Sequence, residues 1–161
     1  MGPGEVVRFA GEHESYDEGA RLSLVCADAA DRQASVKSVL QDLGYTVQVA
    51  GSAADAIERM RKSTYEVIVL DEEFQGSTEH DNAVLKALQT MPMSIRRYIF
   101  LALLGRRVRT LDNLMAFARS ANLVVNINDL SQLKAILARG IADNDRFYRV
   151  YREVLRESGR R

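Results

Sequence analysis

The chain has 161 residues, 47% of them hydrophobic and 27% charged, enough for one packed domain with short extensions. Twenty-two basic side chains balance 22 acidic ones, which argues against a protein built to coat nucleic acid or an anionic membrane. One cysteine (Cys26) and two histidines exclude an internal disulfide and a Cys/His zinc site within the chain; no apolar run is long enough to span a bilayer, so a cytoplasmic location is expected.

Residues 1–19 are Gly-rich, acidic and without period, and read as a flexible tail. LSLVCA (22–27) is an apolar run that predicts a buried strand. Val36, Val39, Leu40 and Leu43 then mark one helix face, with Gly44 as its stop. YTVQVA (45–50) alternates as a half-exposed strand. Ser52 with Asp55 predicts a capped second helix whose inner face carries Ala56, Ile57 and Met60. VIVL (67–70) lacks alternation, the pattern of a strand buried on both faces. A third helix is expected over 78–90, through Val84, Leu85 and Leu88 and ending before Pro92. YIFLALL (98–104) predicts a fourth strand. A fourth helix over 109–122 carries Leu111, Leu114, Met115 and Ala118 on one face, and LVVNI (123–127) is a fifth strand. Asp129 with Gln132 predicts the cap of a last helix starting at Leu130. Its period runs through Leu133, Ile136, Leu137 and Ile141, then Phe147, Tyr148, Tyr151 and Leu155. Unbroken, that helix has about 28 residues and a length of roughly 42 Å; Gly140 and residues 143–145 are the places where it could break. The chain divides into a tail (1–19), a domain (20–142) and a C-terminal helical extension (143–161).

Five β-α units joined by short connections imply parallel strands in a doubly wound sheet, since an eight-fold barrel needs about 250 residues. The working crevice of such a sheet lies at the carboxyl ends of its strands, where Asp28 and Asp71 fall. The bland reading stands beside this: Asp28 as the cap of the first helix, and Asp71 as a solvated or backbone-bonded acid. Cys26, inside an apolar strand, reads as an inert core residue.

Over about residues 21–142 the chain resembles the receiver domains of response regulators. LVCAD closes the first strand, VLQDLGY closes the first helix and VIVLD closes the third strand. The resemblance implies a CheY-like, flavodoxin-like α/β fold, a five-stranded parallel sheet of order 2-1-3-4-5, with an extended C-terminal helix. It also implies that Asp71 occupies the phosphoacceptor position, and that Asp28, Asp71 and the Glu73 carbonyl occupy those of the Mg²⁺ ligands. The other positions have lost their chemistry. The partner acid of Asp28 is Ala27, the Ser/Thr position is Leu104, the Lys position is Asn126 and the switch aromatic is Leu123. EEFQGSTEH replaces the usual Met-Pro and Gly after the acceptor. A phosphoryl group on Asp71 would lie near Asp28, Glu72 and Glu73, and each close like-charge pair costs about 4 kcal/mol at 4 Å and an effective dielectric of 20. Neither the lysine nor the full ligand set is present to offset this.

Two features point outward. Arg96, Arg97, Arg106, Arg107 and Arg109 bracket the fourth strand, and 18 of the 22 basic residues are arginine, which suits fixed polar contacts. The resemblance places the usual partner face on the fourth helix, fifth strand and last helix, so a positive rim there suits an acidic partner or is simply a solvated edge. Phe147, Tyr148, Tyr151 and Leu155 form a stripe that can pack on its own domain, a second copy or an output module.

The sequence therefore reads as a divergent, pseudo-receiver domain. It acts in two-component signalling by protein contact, without enzymatic turnover and without a required cofactor. Its expected partner is a signalling protein or output domain, with homodimerisation through the last helix as a further mode; membrane and nucleic acid are not expected partners. Two rivals remain. One is a working phosphorelay receiver modified on Asp71 with Mg²⁺. The other is a flavodoxin-like small-molecule binder, against which stands the lack of a Gly-rich phosphate loop in CADAADR and VAGSAAD.

Overall fold

A computed structural model describes residues 21–78 and 80–159; the tail read at 1–19 lies outside them. In chain order the elements are β1 (Leu22–Cys26), α1 (Ala30–Asp42), β2 (Thr46–Val49), α2 (Ala53–Lys62), β3 (Val67–Asp71), α3 (Ala83–Gln89), α4 (Met93–Arg96), β4 (Phe100–Gly105), α5 (Asn113–Arg119), β5 (Leu123–Asn126) and α6 (Leu133–Glu157). Short 3-10 turns follow β3 at Phe74–Gly76 and β5 at Ile127–Gln132. The strands form one parallel sheet in the order β2-β1-β3-β4-β5.

Side chains of the central strands divide between two cores, as the absence of alternation predicts. Leu24, Cys26, Ile68 and Leu70 pack with α2, α3 and α5 on one face. Val25, Val67, Val69 and Leu104 pack with α1 and α6 on the other. α1 buries Val36 and Leu40 and is closed beyond Asp42 by Gly44, whose φ of +97° is easy only for glycine. Ser52 caps α2 by accepting from the Asp55 amide at 3.0 Å.

Four expectations are corrected. The third helix starts at Ala83, not 78, because Asp81 closes a turn on Thr78 and Asn82 caps the helix through the Leu85 amide. Pro92 does not only end that segment; it opens the short α4. The fourth helix turns Ala116 inward, with Met115 part-buried beside it, and exposes Leu114 and Phe117. Apolar periodicity misplaced this face because the charged Arg119 also lies inward. The last helix starts at Leu133: Asp129 is engaged by the Thr110 hydroxyl at 2.5 Å and does not cap it.

From Leu133 to Glu157, α6 is continuous for 25 residues, about 37 Å, through Gly140 and 143–145. Gly140 allows close approach to the sheet edge, since a Cβ there would lie 2.8 Å from Leu123 Cδ2 and 3.0 Å from Phe100 Cζ. Among the described residues no helix is long and apolar enough to cross a membrane.

Candidate functional site

The carboxyl end of β3 brings Asp71 and Glu72 to the crevice, both nearly buried. Asn82 fixes the turn that follows, donating to the main-chain oxygens of Asp71 (3.1 Å) and Glu72 (3.0 Å). Such a placement needs a counter-charge, because an unpaired buried carboxylate is costly.

Arginines supply it. Arg32, in the first turn of α1, donates from Nη1 to Asp71 Oδ2 at 2.5 Å, and the two side chains are only 19% and 7% exposed. The other carboxylate oxygen, Oδ1, accepts the Glu73 amide at 2.8 Å. Both acceptor oxygens are therefore engaged by the chain itself. A second buried pair joins Glu72 Oε2 to Arg119 Nε at 2.9 Å and ties the end of β3 to the end of α5. Gly105 makes room for it, since a Cβ there would fall 2.9 Å from Glu72 Oε1. An outer pair links Glu73 to Arg106 at 2.9 Å and is half exposed.

The remaining site residues have local duties. Asp28 neither caps α1 nor joins Asp71. It accepts the Gln75 amide at 2.9 Å and the Gln75 side chain at 3.2 Å, while the Ala29 cap position has no side-chain bond. These bonds hold Gln75 in a left-handed conformation (φ 59°), which costs a non-glycine residue about 1–2 kcal/mol. Asn126 donates from Nδ2 to the Val108 oxygen at 2.8 Å, and its Oδ1 accepts the Asn128 amide at 2.8 Å. It has no lysine-like reach toward Asp71. Leu104 is fully buried opposite Asp71 in the strand register. Ala27 is buried, its carbonyl accepting from Gln33 at 2.6 Å, and Leu123 packs beneath Gly140.

The donors expected for Mg²⁺ are thus engaged within the chain: Asp28 holds Gln75, Asp71 holds Arg32 and the Glu73 carbonyl accepts the Gly76 amide at 3.0 Å. Among the described residues no group of three His, Cys, Asp or Glu side chains is arranged to hold a metal ion. The residues present do not fit the ion.

The crevice continues into a cleft lined by Glu72, Glu73, Thr78, His80, Arg106 and Arg107. Arg109 is exposed beyond it. Next to this end, α5 presents Leu114 (79% exposed) and Phe117 (83%), preceded by an exposed Leu111 held at φ 65°. At the opposite end of the sheet, Arg97 donates to the Tyr151 hydroxyl at 3.2 Å and lies over its ring. Tyr148 and Leu155 are half-buried on the same side of α6 as Tyr151, while Phe147 is exposed.

Solved structures match this architecture closely. The chain has the receiver-domain fold. One similar structure is the magnesium-bound receiver domain of a sensor histidine kinase from Pseudomonas aeruginosa PAO1, 18% identical over 76% of this chain and 98% of that one (TM-score 0.59). Another is the chemotaxis response regulator CheY4 of Vibrio cholerae, 20% identical over 75% and 98% (TM-score 0.61). A third is NtrX from Brucella abortus in complex with ADP, 17% identical over 88% of this chain and 30% of that one (TM-score 0.65). No family model and no curated protein matches the chain by sequence. At these identities the likeness concerns the receiver fold, and the side chains at its crevice decide what this chain does with it.

Sequence reasoning missed Arg32 and Arg119, the two cations that define the site. Arg32 had one visible signal: a cation in the first turn of a helix opposes the macrodipole, which favours acids there. Arg119 had none, since an arginine in the last turn of a helix is the ordinary case.

Proposed function

We propose that this domain is a pseudo-receiver, a signalling interaction module whose acceptor position is permanently occupied by an internal cation. The observation that carries this is the buried Arg32–Asp71 pair. Arg32 supplies the positive charge that an ion and a lysine would supply, but lays it directly on the carboxylate oxygen that would have to attack a phosphodonor. The planar guanidinium fork suits a fixed contact with a carboxylate. Ala27 and Leu104 add no ligand or phosphate contact.

The module acts by contact rather than turnover. Its docking face is α5 and β5, where Leu111, Leu114 and Phe117 stand exposed beside Arg107 and Arg109. That combination suits an acidic partner segment carrying apolar anchors, on a signalling protein or an output domain. α6 adds a second contact surface on which another copy of the chain can dock.

The rival reading, a phosphorelay receiver using Asp71 and Mg²⁺, makes the opposite prediction for one experiment. Amide spectra are recorded while Mg²⁺ and beryllofluoride are added to the full chain. The pseudo-receiver leaves the amides of Asp71, β4 and α5 in place. Saturable shifts spreading from Asp71 into α5 would establish the rival.

A further inference from the structure

The second half of α6 carries two neighbouring stripes. Tyr148, Tyr151 and Leu155 turn toward the domain, with the Tyr148 ring 6.4 Å from Tyr98 and Tyr151 held by Arg97. The adjacent stripe is Phe147, Val150 and Val154, spaced i, i+3, i+7, and 62%, 52% and 55% exposed. This is the a/d spacing of a helix that packs on another helix. Phe147 makes an edge-to-face contact with Tyr148 at 5.1 Å, linking the stripe to the ring that lies beside Tyr98.

The charges beside the stripe select the occupant. Arg146 and Glu153 flank it at equivalent positions one heptad apart, just before Phe147 and Val154. In an antiparallel pair of identical helices, equivalent flanking positions face each other across the seam. With Phe147 stacked on the partner's Val150, Arg146 faces the partner's Glu153, and two-fold symmetry repeats the pair at the other end. Sliding by one heptad sets Glu153 against the partner's Glu153. Parallel pairing sets Arg146 beside the partner's Tyr151 and forms no opposite-charge contact. Arg146 also lies 3.6 Å from Asp143 of its own helix, a loose and exposed pair that leaves the guanidinium free to turn outward.

We propose that the protein self-associates through α6, as an antiparallel helix pair centred between Phe147 and Val150 and framed by two Arg146–Glu153 contacts. The inference rests on reading α6 as a contact surface and adds its partner, orientation and register. It does not depend on the chemistry of Asp71, which lies at the other end of the sheet.

Sedimentation equilibrium of the full chain from roughly 1 to 200 µM tests it, a span that covers micromolar association. The wild type is expected to dimerise within that range. Arg146→Glu and Glu153→Arg each place like charges across both ends and should weaken the dimer about tenfold. The double reversal Arg146→Glu/Glu153→Arg should return to within about threefold of wild type, the pairing having been exchanged. All four side chains concerned are exposed, and circular dichroism confirms that each variant keeps its helix content. A monomer throughout the range overturns the proposal. So does a dimer indifferent to the single reversals, or one that the double reversal fails to restore. None of these outcomes bears on whether Asp71 accepts a phosphoryl group, so failure here is separable from failure of the pseudo-receiver reading.

Discussion

Replacing Arg32 by methionine keeps a long apolar stem at the start of α1 and removes the only cation bonded to Asp71 among the described residues. The carboxylate, 7% exposed, would keep one donor, the Glu73 amide at 2.8 Å. Removing one partner of a buried ion pair costs about 3–5 kcal/mol because the other charge is left uncompensated. Arg32 enters from the rim of the crevice, so some water can replace it, and a loss near 3 kcal/mol is expected. The reverse deletion should be milder. In Asp71→Asn the guanidinium can swing outward on its flexible stem, and the amide can still accept from Glu73, so about 1–2 kcal/mol is expected. The double variant Arg32→Met/Asp71→Asn leaves no buried charge and should be more stable than Arg32→Met alone. Urea unfolding by linear extrapolation reads all three. An Arg32→Met variant within about 0.5 kcal/mol of wild type, the range of ordinary surface changes, would refute the idea that the pair organises the site.

Three other outcomes are expected. Gly105→Ala sets a methyl 2.9 Å from Glu72 Oε1 and 3.2 Å from Val108 Cγ2, which should disturb the Glu72–Arg119 pair and lower stability by about 1–3 kcal/mol in thermal or urea melts. Gly140→Val gains helix propensity but drives its side chain into Leu123 and Phe100, and a net loss of about 1–3 kcal/mol should appear in the same melts. Cys26 is fully buried, and that burial pushes its thiol well above the ordinary range. It should react with a thiol reagent such as DTNB only on unfolding, at a rate that rises with urea in step with loss of structure.

The fold could be read from the sequence because its signals are apolar. VIVL without alternation, a run bounded by Asp28 and helices closed by Gly44 and opened by Ser52 each report burial or capping directly. Order and spacing then fix a parallel sheet and place Asp71 at its working end. The site was less legible because its decisive groups are charged residues facing inward. Arg32 and Arg119 look like solvated arginines in any periodic pattern; only the buried acids at the end of β3 give them a reason to turn in. The same blindness displaced the buried face of α5, where Arg119 takes a position that periodicity would assign to a leucine. Nothing in the departures expected at Ala27, Leu104, Leu123 and Asn126 disclosed that Arg32 lies against Asp71. At the Lys position, the Asn126 amide is spent on Val108 and Asn128.

The account turns on whether the Asp71 carboxylate can still act as a nucleophile. Its most direct test is intact-mass analysis of the full chain after incubation with Mg²⁺ and acetyl phosphate, followed by peptide mapping of any adduct. With Oδ2 held by Arg32 and Oδ1 by the Glu73 amide, the account predicts a mass that does not change. A stoichiometric phosphoryl adduct mapped to Asp71 would contradict it.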